Sequence, residues 1–317
     1  MKHSITGSMV ALVTPMREGA IDYPTLEKLY RIHAAAGTDA VVICGTTGES
    51  ATMTHDEHRE IIAHAATFFR SEFQGNKPLL IAGTGSNSTH EAVSLTEFAV
   101  EQGVAAVLVI TPYYNKPTPH GQILHYGEVA RAAAGVPVIP YNVPGRTGLK
   151  MTLETVLELA EVDNIIGIKE ASGDMGLISE IIRRAPRDFV VLSGEDNLTL
   201  PMMALGAKGV ISVSANIVPV EIKQMIDLCL ADSLAEAQKI HHRYFQLTEA
   251  LFCETNPIPV KTAMNLMAGS PAPGSQVWPD AGEFRMPLCE MRPGTLERLR
   301  REMKTVQLLP EKEVAVR

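Results

Sequence analysis

"IIGIKEASGD" (residues 165–174) sets one lysine, Lys169, inside an otherwise apolar, strand-like run. Successive side chains of a strand point to opposite faces, so Glu170 beside it is a poor partner. Apart from these two residues the stretch 165–171 is apolar on both faces. Strands of that kind are covered on both sides, as in parallel sheets wrapped by helices. How often the pattern recurs decides between a barrel and an open sheet.

It recurs about eight times. The other runs are "GSMVALVTP" (7–15), "AVVICGTT" (40–47), "PLLIAGTGS" (78–86), "AAVLVITPYY" (105–114), "PVIPYNVPG" (137–145), "FVVLSGED" (189–196) and "GVISVSANIVP" (209–219). Amphipathic segments with helix signals lie between them. "THDE" (54–57) and "STHE" (88–91) each put a Ser or Thr three residues before a Glu, the spacing of a capping box. Pro24 suits a first helical turn, and Gly37, Gly103 and Gly135 stand where a helix C-terminus wants positive φ. About eight βα units predict an α/β fold, a (β/α)8 TIM barrel, over residues 1–232. A doubly wound open sheet is the alternative, weakened by the absence of GxGxxG or GxxxxGK[ST] after the first strand.

Beyond residue 232 the alternation stops. Helical patterns over 233–253, 257–268 and 294–309 predict a C-terminal helical extension spanning 233–317. Between the last two, "GSPAPGSQVWPDAGEFRMP" (269–287) reads as a long loop, and the tail "PEKEVAVR" (310–317) is expected to fray.

The chain has 317 residues, 45% hydrophobic and 20% charged, enough apolar material for one such barrel with added helices. Its net charge is −8 with both signs interspersed, which argues against a nucleic-acid stripe or a basic membrane face. The four cysteines, Cys44, Cys229, Cys253 and Cys289, lack CxxC spacing and are expected to be reduced core thiols. The N-terminal apolar run is too short for a membrane span and lacks a signal-peptide cleavage pattern, so a cytoplasmic protein is expected.

Polar residues and glycines gather where the strand candidates end: "GTTGES", "GTGS", "TPYYN", "YNVPGRTG", "KEASGD", "SGED" and "SVSAN". In a barrel these ends converge on one rim, where barrel enzymes build their sites. Lys169 would then face the mouth. Burial lowers an amine's pKa, and a neutral amine can form a Schiff base with a carbonyl. A buried ion pair with Glu195 or Asp196 is the competing assignment. Tyr141 is either a proton relay for carbinolamine dehydration or a core aromatic. Thr46 and Thr47 are either a proton path or a carboxylate site, aided by amides around Gly45 and Gly48, or small residues of an ordinary turn. Arg146 is a carboxylate fork or a solvated loop residue. Tyr113 and Tyr114 are adjacent, so one can serve the mouth while the other faces a neighbour. The "HDEH" run carrying His55 and His58 lacks HExxH spacing and a third ligand, so no metal is expected.

Taken in order, "GSMVALVTPM", "GTTGES", "IAGTGSN", "TPYYNKP", "YNVPGRTG", "IGIKEASGD", "GVISVSAN" and "NPIPVK" resemble the dihydrodipicolinate synthase family, within the pyruvate-dependent class I aldolases and lyases. They span nearly all of residues 5–265. The resemblance implies that Lys169 forms an imine with pyruvate and that its enamine attacks L-aspartate 4-semialdehyde, with no cofactor. It implies a proton relay of Tyr141, Thr46 and a tyrosine donated across a dimer interface, matching Tyr114. It gives Arg146 the aldehyde's carboxylate and Thr47 the pyruvate carboxylate, with Gly194 and Ile211 lining the pocket. A homotetramer is the usual assembly.

N-acetylneuraminate lyase shares the lysine and the "YN" tyrosine. The second threonine of "GTTGE" and the arginine of "VPGRTG" favour the synthase, because a buried guanidinium wants a carboxylate while a sugar chain wants neutral groups. The resemblance also implies an L-lysine effector site at Ser50, Ala51, His55, His58, Asn87, Glu91 and Tyr113. Two rivals are a pyridoxal-phosphate barrel, for which no ring-nitrogen partner is evident, and a sensing barrel without turnover, which would need neither Lys169 nor Tyr141.

Overall fold

Eight short parallel strands close on themselves in this computed structural model, which describes residues 5–310. They are β1 (Gly7–Ala11), β2 (Ala40–Ile43), β3 (Leu79–Gly83), β4 (Ala106–Ile110), β5 (Val138–Asn142), β6 (Gly167–Glu170), β7 (Val190–Ser193) and β8 (Gly209–Ser212). Each pairs with the next, and β8 pairs with β1 over four residues from Gly7↔Gly209 to Val10↔Ser212. The fold is a (β/α)8 barrel, and the open-sheet alternative falls because the sheet has no edge. Each strand occupies only the front of its apolar run, and the polar remainder forms the loops of the C-terminal rim.

The two faces of the strands feed two separate cores. Met9, Val42, Ile81, Leu108, Ile139, Leu192 and Ile211 pack together inside the barrel. Val10, Val41, Val107, Ile168, Val191 and Val210 face outward into a larger cluster shared with the helices. This double burial is why the runs read as continuous rather than alternating.

Each strand is followed by a main helix of the same number: α1 (Tyr23–Ala35), α2 (His55–Glu72), α3 (Thr89–Gln102), α4 (Pro119–Ala132), α5 (Leu153–Ala160), α6 (Met175–Arg184), α7 (Thr199–Leu205) and α8 (Pro219–Leu230). Thr54 and Glu57 form a complete capping box on α2. The box expected at Ser88–Glu91 is half formed. Ser88 accepts from the Glu91 amide, but the Ser88 amide is taken by Ser86 Oγ at 3.1 Å, and the Glu91 carboxylate accepts from that same hydroxyl at 2.7 Å. Gly37, Gly103 and Gly135 all adopt positive φ, as expected.

The C-terminal part forms α9 (Leu234–Leu251), α10 (Ile258–Met267) and α11 (Pro293–Thr305). The connection over 269–287 contains a two-residue ribbon, Pro271–Ala272 against Gln276–Val277, and is tied down on both sides. Asn265 grips it through the Ala281 amide and the Gly282 carbonyl, and Trp278 is buried. The Glu283 carboxylate accepts from the Glu18 and Gly19 amides, and Arg285 meets Glu57 at 2.6 Å.

All four cysteines are free, but only Cys44 and Cys229 are core thiols. Cys253 is half-buried after α9, and Cys289 is exposed on the irregular approach to α11, which lacks a packed face to cover it. Residues 311–317 of the tail expected to fray, and residues 1–4, lie outside the described residues. Among the described residues, no helix is long and apolar enough to cross a membrane.

Candidate active site

The C-terminal mouth of the barrel opens into a cavity of about 820 Å³ whose wall includes Lys169, Tyr141, Thr46, Thr47, Arg146 and Gly194. Tyr141 on β5 and Lys169 on β6 are register partners, so they share the inner face side by side. The Lys169 Nζ lies 4.2 Å from the centroid of the Tyr141 ring.

Glu170 faces the other way, as strand alternation requires. Its carboxylate accepts from Asn142 Nδ2 at 2.9 Å and from the Ser172 amide at 2.7 Å. Asn142 and Glu170 are themselves register partners, so their bond locks behind the sheet the alignment that Tyr141 and Lys169 use in front.

The ion pair weighed for Lys169 does not form. The Asp196 carboxylate is spent on the Ser212 hydroxyl and on the Val213 and Ser214 amides, at 2.8 and 3.1 Å for the amides. Among the described residues, no carboxylate forms a salt bridge with Lys169. Burial therefore dominates and brings its pKa down to about 8. The more distant Asp196 and Glu195 charges pull it up, and Arg146 pushes it down. The Tyr141 hydroxyl is raised above the ordinary phenol value, chiefly by burial, so it stays a proton donor at neutral pH.

Gly194 keeps the space beside the amine open. A Cβ there would come within 2.7 Å of the Ala171 Cβ and 3.0 Å of the Lys169 Cε. Ile211 is not on the cavity wall. It sits deeper, in the barrel's inner core, and Val213, two residues on, reaches the wall instead.

The loop after β2 carries Thr46 on the wall and Thr47 almost fully buried, with Thr47 Oγ1 accepting from Asn256 Nδ2 at 3.0 Å. The amides expected to help a carboxylate are partly committed: Gly48 donates to Gly45 and Glu49 to Thr46. Arg146 is exposed at the rim rather than buried, because it sits on the single helical turn Pro144–Thr147 above β5. Its Nη2 donates to the Asn256 carbonyl at 3.1 Å, and Asn256 thus holds both Thr47 and Arg146.

Tyr113 and Tyr114 diverge as adjacency suggests. Tyr113 lines the cavity, whereas Tyr114, in the left-handed region at φ 71°, is 88% exposed and absent from its own chain's cavity. Ser50, Ala51, His55, His58 and Glu91 line the same cavity. Asn87 does not, and its carbonyl accepts from Asn115 Nδ2 at 2.8 Å. His58 is less available than expected. Its Nε2 bonds the Gly83 carbonyl at 2.7 Å, and burial holds its pKa below the ordinary imidazole value. His55 Nε2 stands 3.7 Å from Glu91. Among the described residues, no three His, Cys, Asp or Glu side chains group closely enough to hold a metal ion.

Sequence reading missed the support beneath this rim. Lys261 on α10 is fully buried and pairs with Glu49 Oε1 at 2.7 Å, while also donating to the Glu283 carbonyl. A lone lysine in the apolar run "PIPVKTAMNLMA" is the same signal that singled out Lys169, but its partner lies 212 positions away. Asn256 carries no pattern of its own beyond its place in "NPIPVK".

A closed parallel barrel with a buried amine at its C-terminal mouth, unpaired among the described residues, and a phenol against it has the working parts of an aldolase-type lyase. The chain belongs to the dihydrodipicolinate synthetase family, whose model matches residues 4–292. It is 47% identical over 304 residues to the 4-hydroxy-tetrahydrodipicolinate synthase of Persephonella marina, covering 96% of this chain and 99% of that one. The crystal structure of dihydrodipicolinate synthase from Aquifex aeolicus matches it with a TM-score of 0.89 at 45% identity, over 96% and 99% of the two chains. The corresponding enzyme from Cyanidioschyzon merolae, solved with lysine bound, also gives 0.89, at 40% identity over 97% and 100%.

Proposed function

We propose that this enzyme condenses pyruvate with L-aspartate 4-semialdehyde to give 4-hydroxy-tetrahydrodipicolinate, in lysine biosynthesis through diaminopimelate. The observation that carries this is the Lys169 amine, buried beside Tyr141 with no ion pair among the described residues. The neutral Nζ attacks the keto carbon of pyruvate, and the carbinolamine loses its oxygen as water to leave the imine. Tyr141 and Thr46 carry the protons, with Tyr114 donated by a second copy of the chain. The exposure of Tyr114 suits that role.

Loss of a methyl proton turns the imine into an enamine, whose carbon bonds to the aldehyde carbon while the aldehyde oxygen takes a proton. The amino group of the adduct then attacks the former keto carbon and expels the Lys169 amine. Thr47 holds the pyruvate carboxylate and Arg146 that of the aldehyde substrate. The substrate imine is the electron sink, so no cofactor is required.

Imine formation should follow the free amine. Below its pKa the fraction of neutral Lys169 falls tenfold per pH unit, so the rate of pyruvate imine formation should rise to about pH 8 and level off above it. Stopped-flow measurement across pH 6–10 checks this, and a rate still climbing tenfold per unit at pH 10 would contradict it.

The assembly is a homotetramer, and L-lysine is a feedback inhibitor acting at the cavity end that carries His55, Glu91 and Tyr113. The lysine-bound relative and the Glu91 carboxylate support the inhibitor assignment. One assay tests substrate and effector together. The enzyme should consume aspartate semialdehyde with pyruvate but not cleave N-acetylneuraminate, and saturating L-lysine should suppress its rate. Cleavage of N-acetylneuraminate would overturn the substrate, and an unchanged rate with lysine would remove the effector.

A further inference from the structure

β5 and the run leading into β6 fall out of step by one residue. Val138 pairs with Ile165, but Tyr141, three residues further on, pairs with Lys169, four residues further on. The burial of the side chains agrees. Ile165 and Ile168 both lie in the outer cluster, although alternation would turn the second of them inward. The run therefore carries one extra residue, a β-bulge. Gly167 stands within it. A Cβ there would come 2.3 Å from the Val190 carbonyl oxygen and 2.4 Å from Val190 Cγ2, so the close approach to β7 requires glycine. On the facing strand, Val138 and Asn142 turn backbone groups to the β6 side, and Pro140 midway between them has no amide to add.

This bulge turns Lys169 into the barrel. Without the extra residue, alternation would send Lys169 outward and put Glu170 in the mouth. Beyond the bulge the register rests on two pairs, Tyr141↔Lys169 and Asn142↔Glu170. Asn142 and Glu170 are fully buried, and Asn142 Nδ2 donates to Glu170 Oε2 at 2.9 Å. Backbone amides hold both ends of the pair. The Met151 amide donates to Asn142 Oδ1 at 3.1 Å, and the Ser172 amide donates to Glu170 Oε1 at 2.7 Å. Between two such donors one carboxamide and one carboxylate fit, in either order. Two carboxamides would set donor against donor, and two carboxylates charge against charge.

We propose that Asn142 and Glu170 are positioning residues, a side-chain lock that holds β6 beyond its bulge in the register that brings the Lys169 amine into the mouth beside Tyr141. The assignment rests on the imine chemistry proposed above and concerns how its nucleophile is held.

Glu170→Gln sets donor against donor. Its rate of pyruvate imine formation should fall roughly tenfold to a hundredfold, the scale of a misplacement of about 1 Å. The pH at which that rate levels off should climb above the parent's value of about 8, because a lysine less firmly buried regains its affinity for protons. Loss of the Glu170 charge alone would lower it, so the direction separates displacement from electrostatics. The exchange of Asn142→Asp with Glu170→Gln keeps every bond. The new carboxylate accepts from the Met151 amide and from the new carboxamide, whose oxygen accepts from the Ser172 amide. The exchange should return the rate to within about threefold of the parent and restore its pH profile. The Asp196, Glu195 and Arg146 charges that act on Lys169 are the same in all of these proteins. Asn142→Ala deletes the bond without opposing like groups. It takes the place of Glu170→Gln if that variant does not fold, and should show the same slowing and upward shift. A folded single variant with the parent's rate and pH profile, or an exchange that stays slow, would overturn the lock and leave the condensation standing. Failure of the parent to trap pyruvate with borohydride would instead be the failure of the condensation, and the assignment would fall with it.

Discussion

Lys169→Ala should abolish turnover, with a loss on the order of 10³- to 10⁶-fold in kcat, the scale seen when a covalent nucleophile is removed. The fold should survive. Lys169 is 5% exposed and makes no ion pair among the described residues, so its removal breaks no salt bridge and gives up the contact of its Nζ with the Tyr141 ring. Its folded pKa of about 8 lies below the ordinary lysine value of 10.5. Below pH 8 the amine is charged in both states, and the folded state bears the cost of burying it. That cost fades as pH rises from about 8, where the folded state releases its proton first. The variant should therefore melt at the same or a higher temperature than the parent at pH 7, with a smaller gain near pH 9.5. Activity and thermal scans on one preparation check both halves. Retained turnover would contradict the catalytic assignment, and a collapsed melting temperature would mark Lys169 as structural.

The largest stability effect should come from the other buried lysine. Lys261→Met leaves Glu49 as an uncompensated charge with no exposed side-chain surface, and breaking such a pair costs about 3–5 kcal/mol. Glu49 sits at φ 59° in the turn after Thr47, so the loss should also loosen the loop that carries Thr46 and Thr47. Adding Glu49→Gln to Lys261→Met removes the orphan charge and keeps an acceptor near the Arg285 amide. The double variant should recover most of the loss. Urea unfolding of the parent, both single variants and the double variant measures this coupling. A loss below about 1 kcal/mol for Lys261→Met would show that the pair is dispensable.

These two lysines mark how far sequence alone reaches. The eight strands were legible because both faces of each are buried, which writes continuous apolar runs such as "AVVI" and "GVIS" into the chain. Lys169 stood out against such a run, and alternation separated it from Glu170. Lys261 interrupts an apolar helix in the same way, yet its partner comes from the far end of the chain, so only three-dimensional proximity identifies it as structural. Arg146 reads equally as a carboxylate fork or a solvated loop residue, because a loop's height above the rim leaves no periodic trace in the sequence. Glu91 sat at capping-box spacing, and Ser86, two residues before the cap, won its carboxylate. Tyr114 points out of its own chain, so its place in the relay depends on a surface that a single chain does not contain.

Everything proposed for the barrel mouth depends on a covalent bond between the Lys169 amine and pyruvate, and that bond can be trapped. The enzyme is treated with borohydride with and without pyruvate, digested, and the peptide spanning 165–174 is weighed. Pyruvate and borohydride together should inactivate the enzyme and add the mass of one reduced pyruvate residue at Lys169, while borohydride alone should do neither. A peptide of unmodified mass from a preparation turning over before treatment, or an adduct on a different lysine, would contradict it.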